Sequence, residues 1–272
     1  MSHQNILVLG ASGTIGRRVA ARLRAQGHSV RAASRSGDVR FDWAAPDSWK
    51  GAVGNASRMY LMAPDGVPIE PSFVELAVSS GVRRIVLLSS KAIEVMKDER
   101  LLAAERIVRA SGADWTIVRP DWFNQNFNEG FFREEILAGE VRLPVGALRQ
   151  TFNDAEDIAA VIAVALTENG HAGHTYELSG PRALSFDEAV DIIGRASGRR
   201  IRFVGTTDAY IAAMVERGLP EKDAKAAADA FAALCTLGDA EPNDIVRRVT
   251  GREPKPFETY AAEAAATGAW KN

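Results

Sequence analysis

Short apolar runs alternate with amphipathic stretches along the first two-thirds of the chain. The apolar runs are rich in Ile, Val and Leu and predict strands, whereas apolar residues at helical spacing predict the helices between them. Because the strands are apolar almost throughout, the alternation predicts a parallel sheet covered on both faces, in a doubly wound α/β fold. The predicted strands are residues 6–9, 29–34, 57–62, 84–89, 115–119 and 175–179, and the predicted helices are 14–26, 73–80 and 99–110.

The alternation breaks at residues 120–150, where aromatic residues gather without a clear order of strand and helix. It resumes at Asn153 and Glu156, whose spacing predicts a capping box. The apolar run 158–166 then predicts the helix that this box would begin.

The character of the chain changes after Gly180. Ser185 and Glu188 again have the spacing of a capping box at a predicted helix start. A short strand is expected at 201–204 and an alanine-rich helix at 221–237. We therefore expect a sheet domain at residues 1–180, with 120–150 contributing to a substrate pocket, and a smaller, mainly helical substrate lobe at 181–272.

The composition argues against several function classes. A net charge of −2 leaves no basic surface of the kind that nucleic acid or an anionic membrane requires. No apolar run reaches the ~18 residues of a membrane-spanning helix, and the first residues lack the pattern of a signal peptide. The single cysteine, Cys235, fits a reducing compartment. We expect a cytoplasmic protein, either a monomer or a homodimer, that acts on a small-molecule substrate.

Three glycines stand at G-x-x-G-x-x-G spacing between the first predicted strand and the first predicted helix. Glycine permits a tight turn with φ > 0, a close approach of backbone to a pyrophosphate, and tight packing of helix on strand. The helix start then offers free N–H groups and a partial positive charge to phosphates. This context predicts a dinucleotide site of the Rossmann type, formed by Gly10, Ser12, Gly13, Thr14, Ile15 and Gly16.

The end of the second predicted strand indicates which dinucleotide binds. An NAD site usually has an Asp or Glu there, about 20 residues beyond the glycines, to bind the ribose 2′-OH. Arg35 occupies that place here, and a guanidinium suits a 2′-phosphate by its charge and its fork of donors. We therefore expect NADP(H). Asp42 is a candidate for binding the adenine amino group, and a turn-capping aspartate is the equal alternative.

Several segments of the chain are shared with a known family. They are Gly10-Ala-Ser-Gly-Thr-Ile-Gly16, Ile85-Val-Leu-Leu-Ser-Ser90, Thr116-Ile-Val-Arg-Pro-Asp-Trp-Phe-Asn-Gln-Asn126, Asp157-Ile-Ala-Ala, Ser179-Gly-Pro-Arg-Ala-Leu184 and Thr250-Gly-Arg-Glu-Pro254. With them the chain resembles the NmrA-like, atypical branch of the short-chain dehydrogenase/reductase superfamily. Within that branch it is most similar to the subgroup of ergot-alkaloid iminium reductases.

The resemblance implies an NADP(H)-binding Rossmann domain with a small C-terminal lobe. It also implies that the nicotinamide lies near Ser89, Ser90 and the turn that begins at Pro120. Ala63 completes the predicted cofactor site.

The usual proton donor of the superfamily is missing from this chain. Most short-chain dehydrogenases reduce a carbonyl with a Tyr-x-x-x-Lys pair, in which the lysine lowers the pKa of the tyrosine so that its proton can reach the developing alkoxide. None of the four tyrosines here is followed by a lysine four residues later. A ketone reductase would need another donor, and Lys91, directly after Ser90, is the nearest candidate. A solvated lysine is the alternative.

Hydride transfer to an iminium carbon needs no such acid, because the cation is already polarised and the product is a neutral amine. The protein then has to position the nicotinamide, orient the substrate in an apolar pocket and favour the cation with a carboxylate. Trp122, Phe123 and Phe127 are the candidate walls, with core packing as the alternative. Asp121 is the candidate carboxylate, with an exposed turn aspartate as the alternative.

We therefore predict an NADPH-dependent reductase that transfers hydride to an imine, an iminium ion or a similarly activated small molecule. Two alternatives stay open: an NADPH:quinone reductase, and a non-catalytic NADP(H) sensor that signals through a partner. We expect no metal, because His171 and His174 lack further ligands at a credible spacing.

Overall fold

The computed structural model describes residues 4–271. Its strands are β1 (Asn5–Leu9), β2 (Ser29–Ser34), β3 (Val39–Arg40), β4 (Arg58–Met62), β5 (Arg84–Leu88), β6 (Asp114–Pro120), β7 (Glu140–Arg142), β8 (Arg149–Thr151), β9 (His174–Leu178), β10 (Ala183–Ser185) and β11 (Arg202–Val204). Its α-helices are α1 (Thr14–Ala25), α2 (Trp49–Val53), α3 (Pro71–Ser79), α4 (Glu99–Arg109), α5 (Arg133–Ala138), α6 (Ala155–Thr167), α7 (Phe186–Ser197), α8 (Thr207–Glu216), α9 (Glu221–Cys235), α10 (Ile245–Thr250) and α11 (Phe257–Ala266).

Seven strands form one parallel sheet in the order β3-β2-β1-β4-β5-β6-β9. The direction in which strands are added reverses between β1 and β4. In such sheets a ligand crevice opens at the carboxyl edge beside this switch point. The predicted doubly wound α/β fold is confirmed.

Both faces of the sheet are buried, as the apolar strands predicted. Successive residues of β1 point to opposite faces. Ile6 and Val8 pack with α1 and α6, whereas Leu7 and Leu9 pack with α2, α3 and α4. Because both of its faces are buried, the sheet is rigid, and it holds the loops at its carboxyl edge in place.

The smaller lobe forms around a second apolar cluster drawn from separate parts of the chain. It contains the antiparallel pair β8–β10 and the parallel pair β7–β11. Residues between Phe127 and Phe152 belong to this cluster, whereas Val246 of α10 packs with the sheet domain. Residues on both sides of Gly180 thus contribute to both clusters, and the domain boundary near Gly180 stays a prediction.

The two predicted capping boxes have different outcomes. At α7, Ser185 accepts the N–H of Glu188 and Glu188 accepts that of Ser185, as predicted. At α6 the prediction is wrong, because Asp154 is the N-cap and accepts the Glu156 N–H at 2.9 Å. The Asn153 side chain instead accepts the backbone N–H of Asp121 at 2.8 Å.

Among residues 4–271, no helix combines the length and the apolar character needed to span a bilayer.

Candidate active site

The glycine turn between β1 and α1 presents backbone to its surroundings. Helix α1 begins at Thr14 after Gly13, no side chain caps it, and its first turn contains no acidic residue. The N–H groups of Thr14, Ile15 and Gly16 therefore have no acceptor within the helix. A Cβ on Gly16 would lie 2.2 Å from the Gly10 carbonyl oxygen, so only glycine allows this approach. The turn fits a diphosphate held by backbone N–H groups.

The side chains of this turn divide between solvent and core. Ser12 is exposed and Thr14 is partly exposed, so both hydroxyls are accessible to a ligand. Ile15 is buried in the cluster between α1 and the sheet. A cofactor can therefore contact only the backbone N–H of Ile15.

The end of β2 brings a guanidinium next to the glycine turn. The Ala11 N–H donates to the Ala33 carbonyl at 3.2 Å, which joins the turn to the strand end. Arg35 follows β2 directly, is exposed, and has no hydrogen bond or ion pair within the described residues. The Ser34 hydroxyl is buried and also lacks a partner there. Sequence reasoning missed Ser34, although it adjoins the arginine that the same argument selected.

Asp42 has a local role in the structure. Its Oδ1 accepts the Ala44 N–H at 3.0 Å, and its backbone carbonyl accepts the indole N–H of Trp49 at 2.9 Å. This is the turn-capping geometry that stood as the alternative to an adenine contact.

The residues predicted beside the nicotinamide differ in where they point. Ala63 directly follows β4, and its carbonyl lies 3.4 Å from Nη1 of Arg100. The Ser89 hydroxyl donates to Oε1 of Glu105 at 2.7 Å in a buried contact. Ser90 lines the large cavity described below. Ser90 therefore borders that cavity and donates its hydroxyl to the Lys91 carbonyl at 3.3 Å, whereas the Ser89 side chain is committed to α4.

Glu105 is the centre of a buried ionic network behind the ends of β5 and β6. Its carboxylate accepts two hydrogen bonds of 2.7 Å from Arg119 in addition to that from Ser89. Burial alone would raise the pKa of Glu105, but the hydrogen bonds from Arg119 and Ser89 and the charges of Arg119 and Arg109 outweigh burial and lower this pKa. The network fixes the two strand ends relative to each other.

A cavity of about 490 Å³ opens at these strand ends, between the sheet domain and the smaller lobe. Its size is typical of a site for a small molecule. The predicted site residues that line it are Ser90, Lys91, Asp121, Trp122 and Phe123. Sequence reasoning missed the other lining residues, which no local motif marks: Ala92, Met96, Asn126, Gln150, Phe231, Leu234, Leu237 and the segment 238–241.

Lys91 and Asp121, the two predicted catalytic side chains, meet in this cavity. The Lys91 Nζ lies 3.8 Å from Oδ2 of Asp121, whose side chain is only 7% exposed. The alternative of an exposed turn aspartate is therefore wrong. The carboxylate accepts the Thr151 hydroxyl at 2.6 Å and the Trp122 N–H at 3.0 Å. Burial raises the pKa of Asp121, and the hydrogen bond from Thr151 and the charge of Lys91 offset this only in part.

The aromatic wall of the cavity differs in one member from the predicted set. Trp122 faces Phe231 of α9 with ring centroids 6.2 Å apart and planes 19° from parallel. Phe127 is completely buried, and its backbone carbonyl accepts the indole N–H of Trp270 at 2.8 Å. The structure thus contradicts the pocket role of Phe127, because its short 3₁₀ turn directs the ring into the core of the smaller lobe.

None of the four tyrosines, all of them among the described residues, lines this cavity. Tyr60 is buried in β4, and this burial raises the pKa of its phenol well above the ordinary value. Tyr260 donates its hydroxyl to Oδ1 of Asn128 at 2.8 Å. Tyr176 and Tyr210 belong to β9 and α8. The described part of the chain also holds no group of three or more His, Cys, Asp and Glu side chains placed to bind a metal ion.

Comparison with known proteins agrees with this geometry. A family described as NAD(P)H-binding matches residues 10–169. The chain is 33% identical to the uncharacterized oxidoreductase YesF of Bacillus subtilis, over 98% of this chain and 97% of that protein. It is 30% identical to festuclavine synthase I of Penicillium roqueforti, over 94% of this chain and 96% of that protein.

Among solved structures, the triphenylmethane reductase of Citrobacter sp. complexed with NADP(H) has the same fold. Its TM-score is 0.69 at 20% identity, and the match covers 97% of this chain and 100% of that chain. Since the family match spans more than half of the sequence and the similarity to YesF spans nearly all of it, the chain belongs to the NAD(P)H-binding, NmrA-like family of oxidoreductases, as its motifs predicted.

Proposed function

We propose that the protein is an NADPH-dependent reductase of a cationic, electron-poor small molecule, above all an iminium ion. The observation that carries this proposal is the cavity at the ends of β5 and β6. It has an aromatic wall and a buried carboxylate, and no tyrosine lines it. An acceptor that is already polarised suits such a site, because its reduction requires no strong acid.

When held by the backbone of the glycine turn and by Arg35, NADPH would supply the hydride that converts the C=N bond of the acceptor into a neutral amine. The protein's own residues bind and orient the acceptor. Trp122 and Phe231 offer ring faces that attract a cation. Asp121 supplies negative charge at a site of low exposure, where charge acts more strongly than in water.

The charge of the cavity favours a cationic acceptor. Among residues 4–271, Lys91 is the only lysine or arginine that lines it, whereas Asp121, Asp239 and Glu241 provide three carboxylates. Asp239 is held in place because its Oδ1 accepts the Arg149 N–H at 2.9 Å. Asp121 offsets the charge of Lys91, and the other two carboxylates leave the mouth of the cavity negative.

The preference for NADP(H) over NAD(H) rests on the end of β2. The unpaired Arg35 guanidinium and the unpartnered Ser34 hydroxyl lie beside the glycine turn, where the 2′-phosphate of the cofactor would be bound. The 30% identity to festuclavine synthase I agrees with the resemblance to the ergot-alkaloid iminium reductases.

Turnover of matched acceptors tests this proposal. We expect the purified protein to oxidise NADPH with a cyclic iminium ion and not with the ketone of the same skeleton. Replacing Asp121 by Asn should lower kcat/KM for the iminium ion by about 10- to 100-fold, as expected for loss of a charged contact. The control is Glu75→Gln, which removes an exposed carboxylate of α3 outside the cavity and should change kcat/KM by less than about threefold. Equal turnover of the ketone, or an unchanged kcat/KM in Asp121→Asn, would contradict the proposal.

A quinone reductase is the second candidate, and Lys91 is the observation that favours it. Its ammonium group lines the cavity and is a possible proton donor to a reduced quinone oxygen. In that case quinone reduction would exceed iminium reduction and would be lost in Lys91→Met.

Binding of NADPH without its oxidation across the whole panel would instead favour the non-catalytic sensor. The cytoplasmic location and the choice between monomer and homodimer stay predictions.

A further inference from the structure

Gln150 presents an unused hydrogen-bond acceptor at the cavity wall. It lies in β8, is 4% exposed and lines the cavity. Its Nε2 donates to the Arg149 carbonyl at 2.9 Å, and its side chain has no other hydrogen bond within the described residues. Because the carbonyl can only accept, this contact fixes the amide with its nitrogen toward Arg149. Oε1 is therefore the free atom.

The position of Gln150 is fixed from both sides. Its partner in the β8–β10 pair is Leu184. The next residue, Thr151, donates its hydroxyl to Asp121 at 2.6 Å. The backbone of Gln150 is thus held next to a residue that binds the carboxylate of Asp121, which would favour a cation.

A substrate that fills the cavity displaces the water that Oε1 can bind, so it either supplies a donor to Oε1 or leaves this atom buried without a partner, which is costly. The free atom here is an acceptor, so the complementary ligand atom carries a hydrogen. The carboxylates of Asp121, Asp239 and Glu241 around the same cavity favour a donor with positive charge. A protonated nitrogen meets both requirements.

We propose that Gln150 is a specificity-determining residue that accepts a hydrogen bond from the N–H of the substrate cation. This rests on the proposed reduction of iminium ions and narrows it to protonated imines that carry an N–H. An N-alkyl iminium ion has the same charge but no N–H, and it leaves Oε1 without a partner. A site that hydrogen-bonds its substrate discriminates strongly against an analogue that lacks the donor.

The test compares protonated dihydroisoquinoline with its N-methyl iminium counterpart at a mildly acidic pH. We expect wild-type protein to prefer the N–H cation by about 10- to 100-fold, in kcat/KM with NADPH and in calorimetric binding without cofactor. In Gln150→Met, which keeps the side-chain length and removes the acceptor, the preference should fall to within about threefold. Asn126→Leu, which removes another amide from the same cavity, should weaken both cations alike.

The outcomes separate the inference from the proposed function. Reduction of both cations without a preference, or a preference that survives in Gln150→Met, overturns the role of Gln150 and leaves the reductase proposal standing. A Gln150-dependent difference in binding without any reduction supports the recognition of N–H and overturns the reductase proposal. Loss of cofactor affinity in Gln150→Met with an unchanged preference assigns Gln150 to the cofactor and contradicts the inference. Failure of both cations to bind overturns both.

Discussion

The glycine turn and the cavity lie at the same carboxyl edge of one sheet, yet they are built in opposite ways. The turn comprises residues 10–16. It presents backbone N–H groups, which are accessible because its glycines have no side chains. The cavity is lined by side chains that range from Ser90 to Glu241 along the chain. The first is a local structure that a few glycines specify, whereas the second exists only when the smaller lobe has packed on the sheet.

The turn is a local structure of a general type, whereas the set of side chains around the cavity is particular to this chain. Backbone recognition of a diphosphate depends on geometry and tolerates variation in the surrounding side chains. In the proposed function, recognition of the acceptor depends on the side chains that α9, β8 and the end of β6 contribute to the cavity. Substitutions in the two regions should therefore separate cofactor binding from substrate choice.

The largest effect is expected for Gly16→Ala. Its Cβ would stand 2.2 Å from a carbonyl oxygen of the turn, and two backbone segments would have to separate. We expect the free energy of unfolding to fall by about 2 kcal/mol and the NADPH affinity to fall by about 100-fold, measured by denaturant titration and calorimetry. The control is Gly51→Ala in α2, where a Cβ meets nothing within 4 Å and cofactor affinity should not change. Wild-type NADPH affinity in Gly16→Ala would refute the backbone site.

The next effect concerns the arginine after β2. Removing the side chain of Arg35 should abolish a charged contact to the 2′-phosphate and lower the preference for NADPH over NADH by about 10- to 100-fold. The ratio of the two kcat/KM values measures this. Arg83→Ala is the matched control, because Arg83 is also exposed but directly precedes β5, at the opposite edge of the sheet. An unchanged ratio in Arg35→Ala would show that other residues select the cofactor.

The difference between the glycine turn and the cavity also explains which parts of the molecule the sequence alone predicts. The sheet, the glycine turn and the capping box at Ser185 follow from local patterns, and the structure has them where they were expected. For Phe127, one of the aromatic residues of segment 120–150, the sequence leaves a pocket wall and core packing as alternatives, and the structure shows core packing. The wall position belongs to Phe231, more than a hundred residues away, because the packing of α9 decides it. Burial of Asp121 has the same origin, since Thr151 and Lys91 come from different segments.

The third prediction concerns pH. Burial raises the pKa of Asp121, so its carboxylate becomes protonated above the ordinary aspartate range near ~3.9. For an N-methyl iminium ion, whose charge does not titrate, kcat/KM should fall about tenfold as the pH drops through this raised pKa. The contribution of Asp121 to stability has the opposite slope: it is largest below the unfolded-state pKa and declines as the pH rises through the folded-state pKa. Asp121→Asn should flatten both profiles, and an acidic limb that persists in this variant would assign the titration to another group.

The smallest effect is expected at Asp42. It distinguishes a structural role of this side chain from a contact to the cofactor. Asp42→Ala removes the acceptor for the Ala44 N–H and should lower the free energy of unfolding by about 1 kcal/mol, whereas Asp42→Asn keeps an acceptor and should lower it by less. Because the turn role accounts for the side chain, NADPH affinity should change by less than about twofold in both variants.

The decisive comparison uses the hypoxanthine analogue of the cofactor, which lacks the adenine amino group. If Asp42 accepted a hydrogen bond from that group, wild-type protein would discriminate against the analogue and Asp42→Ala would not. We expect the same discrimination in both proteins, because the Asp42 Oδ1 already binds a backbone N–H within its own turn.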